Sequence, residues 1–234
     1  MYSLSQKLVA EFIGTFTLIF IGAGSICADQ YLRSANQPGL GILAIALAQG
    51  LAFGIMVTAI GHISGGHLNP AVTIGFWVAR RLSTIQSLCY WFAQLAGAVF
   101  AAYLLSAIVP EATWRNCGLG TPDLATDFTR LHGMALEAVA SFLLVFVFFA
   151  TAADRKGAFD KIAGFAIGLT ITVDILIAYP FTGAAMNPAR AFGPALVSRH
   201  WVNQGVYWIG PLIGGVIAGF LYNAIFLRDQ APAA

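Results

Sequence analysis

Gly65-Gly66-His67-Leu68-Asn69-Pro70-Ala71-Val72 is a polar turn set inside an apolar stretch. Its ending returns half a chain later in Phe181-Thr182-Gly183-Ala184-Ala185-Met186-Asn187-Pro188-Ala189-Arg190. Asn is a favoured N-cap, and a Pro directly after it lacks only an N–H that has no intrahelical partner there. Each Asn-Pro-Ala therefore reads as the start of a helix. The apolar runs that follow, 72–78 and 191–197, fall well short of the roughly 20 residues a membrane span requires. They read as half-helices. Non-helical backbone at membrane depth is tolerated only where protein buries it or where it lines a water-filled cavity. Two such turns, entering from opposite faces and meeting near the midplane, build one site from two equivalent parts. That arrangement points to a pore.

Composition sets the solvent. The chain has 234 residues, 59% hydrophobic and only 9% charged, whereas a soluble domain carries about 25% charged residues. Six stretches are apolar enough to span: 8–28, 39–60, 84–109, 131–153, 161–179 and 204–226. The first runs past a signal-peptide core of about 7–15 residues and holds Glu11, so it reads as a retained helix. The expected fold is an all-α membrane protein of six transmembrane helices and two re-entrant half-helices.

The halves match beyond the tripeptide. Ala10-Glu11-Phe12-Ile13-Gly14-Thr15-Phe16 opens the first, and Leu136-Glu137-Ala138-Val139-Ala140-Ser141-Phe142 opens the second. Three spans per half turn the second half upside down, the inverted repeat of transport proteins. We expect one channel domain over 1–234, with repeat halves 1–110 and 131–234 joined by an extracellular loop, 111–130. With the amino terminus inside, Lys7, Arg80, Arg81, Arg155, Lys156, Lys161 and Arg228 are cytoplasmic, against Arg33, Arg115, Arg130, Arg190 and Arg199 outside. This positive-inside bias places both termini in the cytoplasm. The short tails point to a bacterial inner membrane. A net charge of +2 implies no nucleic-acid partner. Glycines such as Gly210, Gly214, Gly215 and Gly219 allow close helix contact, within the chain or between protomers.

Cys27, Cys89 and Cys117 show no metal-type spacing, and the four histidines form no ligand cluster with them. No metal and no cofactor is expected. Cys27 and Cys89 read as small buried hydrophobes, and Cys117 as a loop cysteine that could be a free thiol. No nucleophile with a base is visible, so an enzyme is not expected.

The two motifs together, with Arg190 after the second only, closely resemble the aquaporin, or major intrinsic protein, family over the whole chain. The resemblance implies a passive channel for water and a homotetramer with a pore in each protomer. It also implies a selectivity filter, which falls on Gln49, Ile175, Ala184 and Arg190. Water-specific members carry Phe and His where this chain has Gln49 and Ile175, and some relatives carry a mercury-sensitive cysteine at Ala184. The expected opening is therefore wider, with one apolar wall. Phe53, one turn below Gln49, is the rival aromatic. Glycerol facilitators carry an aspartate where this chain has Ala191. Ala46-Leu47-Ala48-Gln49-Gly50-Leu51-Ala52, Thr172-Val173-Asp174-Ile175-Leu176 and Ala191-Phe192-Gly193-Pro194-Ala195 resemble aquaporin-eight and the plant tonoplast intrinsic proteins, which also pass ammonia, urea or hydrogen peroxide. Those relatives carry His at Gln49, and Gln does not titrate, so no histidine-type pH response is expected there.

Physics supplies roles for these residues. Each half-helix presents about half a positive charge at its N-terminus, and facing half-helix ends raise a barrier to cations, as stated generally for aquaporin-type pores. Asn69 and Asn187 have amide hydrogens to donate to water. The carbonyls of Gly65, Gly66, His67, Gly183 and Ala185 are the expected acceptors along the pore. Arg190 brings five donors and a permanent charge. Glu11 and Glu137, equivalent in the repeat, read as scaffold carboxylates accepting from the re-entrant turns. The alternative is a proton-coupled transporter that uses Glu11, Glu137 and Asp174.

Overall fold

The computed structural model describes residues 2–154 and 162–228. Arg155, Lys156 and Lys161, three of the expected cytoplasmic charges and the expected start of the fifth span, lie outside those residues.

Each apolar stretch forms one long helix. The six spans are α1 (Leu4–Ser34), α2 (Gly41–Ser64), α4 (Thr84–Ile108), α6 (Arg130–Phe148), α7 (Ala163–Thr182) and α9 (Val206–Ile225). Between α2 and α4 lies the half-helix α3 (Pro70–Val78), and between α7 and α9 lies α8 (Pro188–Ser198). The first span starts earlier than expected because Ser3 and Gln6 form a capping box: Ser3 Oγ accepts from the Gln6 N–H, and Gln6 Oε1 accepts from the Ser3 N–H. Helix α6 continues as a π-helical turn, Phe149–Ala153. The 111–130 segment is not simply a loop. It carries a short helix, α5 (Glu111–Asn116), and a 3₁₀ turn at Gly118–Gly120.

The halves interlock. Helix α3 of the first half docks on α9 of the second, and α8 of the second docks on α4 of the first. Across the centre, α2 runs against α7 on a seam of glycines. A Cβ on Gly54 would stand 2.5 Å from the Gly164 carbonyl oxygen, and one on Gly168 would stand 2.5 Å from that of Gly50. Only hydrogen fits there, so the two backbones touch. The glycines of α9 also pack inside the chain: Gly210 and Gly214 face α6, while Gly215 and Gly219 face α3. Outward, Phe92, Leu131 and Phe220 are exposed, as befits helices solvated by lipid.

Candidate functional site

Two turns carry the site, and they superpose residue by residue. Helix α2 ends at Gly65 (φ 93°) and α7 ends at Gly183 (φ 73°), both left-handed. Next come Gly66 (φ 63°) and Ala184 (φ 51°), then Leu68 (φ 52°) and Met186 (φ 51°). The left-handed region is a steric cost for residues with a Cβ, so something must hold Leu68, Ala184 and Met186 in place.

Two carboxylates do. Glu11 Oε1 accepts from Ser64 Oγ at 2.7 Å and the His67 N–H at 2.9 Å, and Oε2 accepts from the Leu68 N–H at 2.7 Å and Gln94 Nε2 at 2.8 Å. Glu137 Oε1 accepts from Thr182 Oγ1 at 2.7 Å and the Ala185 N–H at 2.9 Å, and Oε2 accepts from the Met186 N–H at 2.6 Å. Both glutamates are fully buried, and a buried charge persists only when it is paired or richly hydrogen-bonded. The phenols of Tyr90 and Tyr207 complete the clamps by donating to the Ser64 and Thr182 carbonyls at 2.7 and 2.8 Å.

Asn69 and Asn187 then begin the half-helices. Asn69 Oδ1 accepts from the Ala71 N–H at 2.7 Å, and Asn187 Oδ1 accepts from the Ala189 N–H at 3.0 Å. Each side-chain amide also reaches across the dyad. Asn69 Nδ2 donates to the Met186 carbonyl and Asn187 Nδ2 to the Leu68 carbonyl, both at 2.9 Å. One amide hydrogen per Asn is thereby used, and one is left over. Pro70, Ala71, Pro188 and Ala189 are all buried at the join. The His67 ring is buried too, 4.5 Å from the ring of Phe76 and 3.2 Å from Thr73 Oγ1 through Nδ1.

Gln49, Ile175, Ala184 and Arg190 line one cavity with Asn69 and Asn187. The volume open to water is about 20 Å³, little more than a single water requires. Gln49 and Arg190 meet on the wall of this cavity. Arg190 Nε donates to Gln49 Oε1 at 3.4 Å, and its Nη1 donates to the Gly120 carbonyl at 2.7 Å. Phe53 lines the same cavity as Gln49, so the two candidates for the aromatic position occupy successive turns of one wall. Asp174 is buried with Oδ2 lacking a hydrogen-bond partner.

Sequence reasoning missed several members of this site. Ser64 and Thr182 had a signal, since each stands five positions before its Asn. Gly22, Gln94 and Gly120 had none. A Cβ on Gly22 would stand 2.9 Å from Gln49 Cγ, so this glycine makes the room in which Gln49 lies. Gly120 matters through its backbone alone.

Six spans and two half-helices joined at their N-termini, beside a small cavity lined by Asn69, Asn187, Gln49, Arg190 and apolar side chains, define a membrane channel of the inverted-repeat type. The family profile described as Major intrinsic protein matches residues 1–222. The chain is 42% identical to "Probable aquaporin TIP3-2" of Arabidopsis thaliana over 230 residues, covering 95% of this chain and 84% of that protein. It is 41% identical to "Probable aquaporin TIP2-1" of Oryza sativa subsp. japonica over 231 residues, covering 98% of this chain and 91% of that protein. The fold superposes on the X-ray structure of the aquaglyceroporin from Plasmodium falciparum with a TM-score of 0.83 at 22% identity, covering 98% of this chain and all of that one. The chain belongs to the major intrinsic protein family, the aquaporins. It is a multi-pass integral membrane protein and a passive water channel. The proton-coupled alternative is not favoured, for the glutamates it would use are taken up by the re-entrant turns.

Proposed function

We propose that water crosses this channel in single file past Asn69 and Asn187, and that Gln49, Ile175, Ala184 and Arg190 form its filter. One observation carries the reading. The Arg190 Nε–H can only donate, so the oxygen of the Gln49 amide must face it. The Gln49 NH₂ is therefore turned away, and Nε2 is a buried donor without a partner in the protein. Such a donor is costly unless something transient satisfies it, and a passing oxygen or nitrogen lone pair does so. Ile175 supplies apolar lining to the same cavity. The spare amide hydrogens of Asn69 and Asn187 then hold a water so that its own hydrogens point outward, which interrupts a proton wire. The carbonyls of Gly65, Gly66, His67, Gly183 and Ala185 serve as acceptors in this reading, and Glu11 and Glu137 serve as scaffold.

Among neutral solutes, the small cavity favours ammonia and hydrogen peroxide, which are close to water in size and offer lone pairs. Urea is bulkier and passes only when Gln49 swings off Arg190. Conduction makes and breaks no covalent bond, so the reading assigns no enzymatic step. The family resemblance supports a homotetramer with repeat halves 1–110 and 131–234 acting as one domain around each pore, linked by 111–130. The positive-inside bias supports cytoplasmic termini. The bacterial inner membrane expected from the sequence finds no support in the two relatives named above, which are plant proteins.

Stopped-flow light scattering of reconstituted vesicles in hyperosmotic urea tests the reading in one trace. The expected result is fast shrinkage from water efflux with slow re-swelling, turned fast by Gln49→Ala. Shrinkage no faster than in empty vesicles would overturn the channel reading. Unchanged urea re-swelling in the variant would remove Gln49 from the filter.

A further inference from the structure

The vestibule on the Arg190 side of the constriction contains a second piece of chemistry. Cys117, the residue that ends α5, faces Cys27 of α1 with the two Sγ atoms 3.6 Å apart. Both are free thiols, and no metal-ligating group of three or more side chains occurs among the described residues. Cys27 is buried, while Cys117 lines the vestibule together with Gly120, Tyr179 and Arg190. Half-buried Cys117 thus borders the vestibule, and buried Cys27 lies against it.

We propose that Cys27 and Cys117 form a peroxide-reactive thiol pair that closes to an intramolecular disulfide. The Cys117 thiolate attacks hydrogen peroxide. The S–O bond forms as the O–O bond breaks, sulfur is oxidised, and hydroxide leaves to take up the proton Cys117 released. The Cys27 thiol then attacks the sulfenyl sulfur of Cys117. The S–S bond forms, the S–O bond breaks, and the second hydroxide departs with the Cys27 proton as water. Two thiols and one peroxide give one disulfide and two waters.

Three features favour the sequence of steps. The sulfurs need approach by only about 1.5 Å to reach the 2.05 Å of a disulfide. The contact with the Cys27 thiol draws the Cys117 thiol down to about 7, with the backbone N–H groups of Gly120 and Leu119 adding to it against the opposing effect of burial. It is therefore substantially ionised near neutral pH, which is where attack on peroxide requires it. The resolving thiol is already in contact, so the sulfenic acid is short-lived.

The location gives the reaction a consequence for the pore. Cys117 leads directly into the Gly118–Gly120 turn, whose three residues all have left-handed backbone. Gly120 packs against Ala23 of α1 and offers its carbonyl to Arg190. The disulfide ties that turn covalently to the helix it already rests on, so the oxidation state of the pair bears on the acceptor that holds Arg190.

Purified full-length channel is treated with stoichiometric hydrogen peroxide, alkylated, and mapped by mass spectrometry without reduction. Wild type is expected to lose two of its three thiols per chain, linked as Cys27–Cys117, with Cys89 still alkylated and full recovery on adding dithiothreitol. Cys27→Ser is expected to stop at a Cys117 sulfenic acid that dimedone traps, and Cys117→Ser is expected to keep Cys27 reduced. Survival of all three thiols, linkage between chains, or oxidation of Cys89 as fast as Cys117 would each overturn the proposal. The chemistry is read on the protein itself, so its outcome is independent of what the pore conducts.

Discussion

Asn69 and Asn187 each donate a side-chain amide hydrogen to the carbonyl that precedes the other, both at 2.9 Å. The same two side chains cap the two half-helices through their oxygens. One residue type thus performs three tasks at a single position: it starts the half-helix, locks it to its counterpart, and keeps one amide hydrogen in reserve. Neither Asp, which has no amide hydrogen, nor Ser, which has only one hydroxyl hydrogen, covers all three.

Asn69→Ala removes a cap and a buried cross-link together. A lost cap costs about 1 kcal/mol and a buried hydrogen bond about another 1 kcal/mol, so about 2 kcal/mol of destabilisation is expected. Thermal unfolding in detergent checks it. Asn69→Asp keeps the cap, so it should destabilise through the crossing bond and the new buried charge, and it should weaken rejection of cations in vesicle flux assays.

Glu11→Gln replaces an acceptor oxygen with an amide that points hydrogens at donors. Four donors converge on Glu11, and hydrogen bonds to charged groups are worth about 1.5–3 kcal/mol each. The variant should lose at least about 2 kcal/mol of stability, and Glu137→Gln should do the same at the other turn. Water permeability per folded channel should not respond to an imposed proton gradient in either protein. A gradient-dependent flux in wild type, lost in Glu11→Gln, would revive the coupled-transport reading.

Arg190→Val leaves the Gly120 carbonyl and Gln49 Oε1 without their donor. The filter should widen, urea re-swelling should quicken and cation leak should rise, all measured on reconstituted vesicles. Unchanged solute and ion permeability would take Arg190 out of the filter.

Gly22→Ala tests the same wall from behind. Its new Cβ would stand 2.9 Å from Gln49 Cγ and 3.2 Å from Gln49 Oε1, closer than carbon atoms tolerate. Gln49 should be pushed toward the file, and water permeability should fall several-fold while the amount of folded channel changes little. Osmotic shrinkage normalised to reconstituted protein measures it.

Alkylation of Cys117 should follow a titration centred at about 7, below the roughly 8.5 of a free thiol. The sign is set by the thiolate, the reactive form: the rate rises with pH and is already half-maximal near neutrality. Cys27→Ser, in which a hydroxyl replaces the thiol against Cys117, should move the midpoint without abolishing the reaction. Iodoacetamide kinetics across pH 5–10 give both curves.

Much of this was legible because apolar length and capping are local. Asn followed by Pro favours a helix start, a run of seven apolar residues is too short to span, and α3 and α8 begin at the residues those rules select. The twofold match around Glu11 and Glu137 was visible for the same reason, since each half repeats its own pattern. Ser64 and Thr182 were present in that pattern and passed over.

What the chain alone determined is therefore the set of elements and their symmetry: six spans, two half-helices and an inverted repeat, all consequences of apolar runs, caps and spacing. Only the tertiary structure decided who meets whom. Gln49 meets Arg190 from far along the chain, Gly22 clears the space for it, Gly120 offers a carbonyl, and Cys27 comes to lie beside Cys117. The physical reason is that each of these contacts joins elements distant in the chain, α1 to α2, α8 to α2, α8 to the Gly118–Gly120 turn and the end of α5 to α1. Distances of that kind depend on how whole helices pack, and no local pattern of residues encodes them.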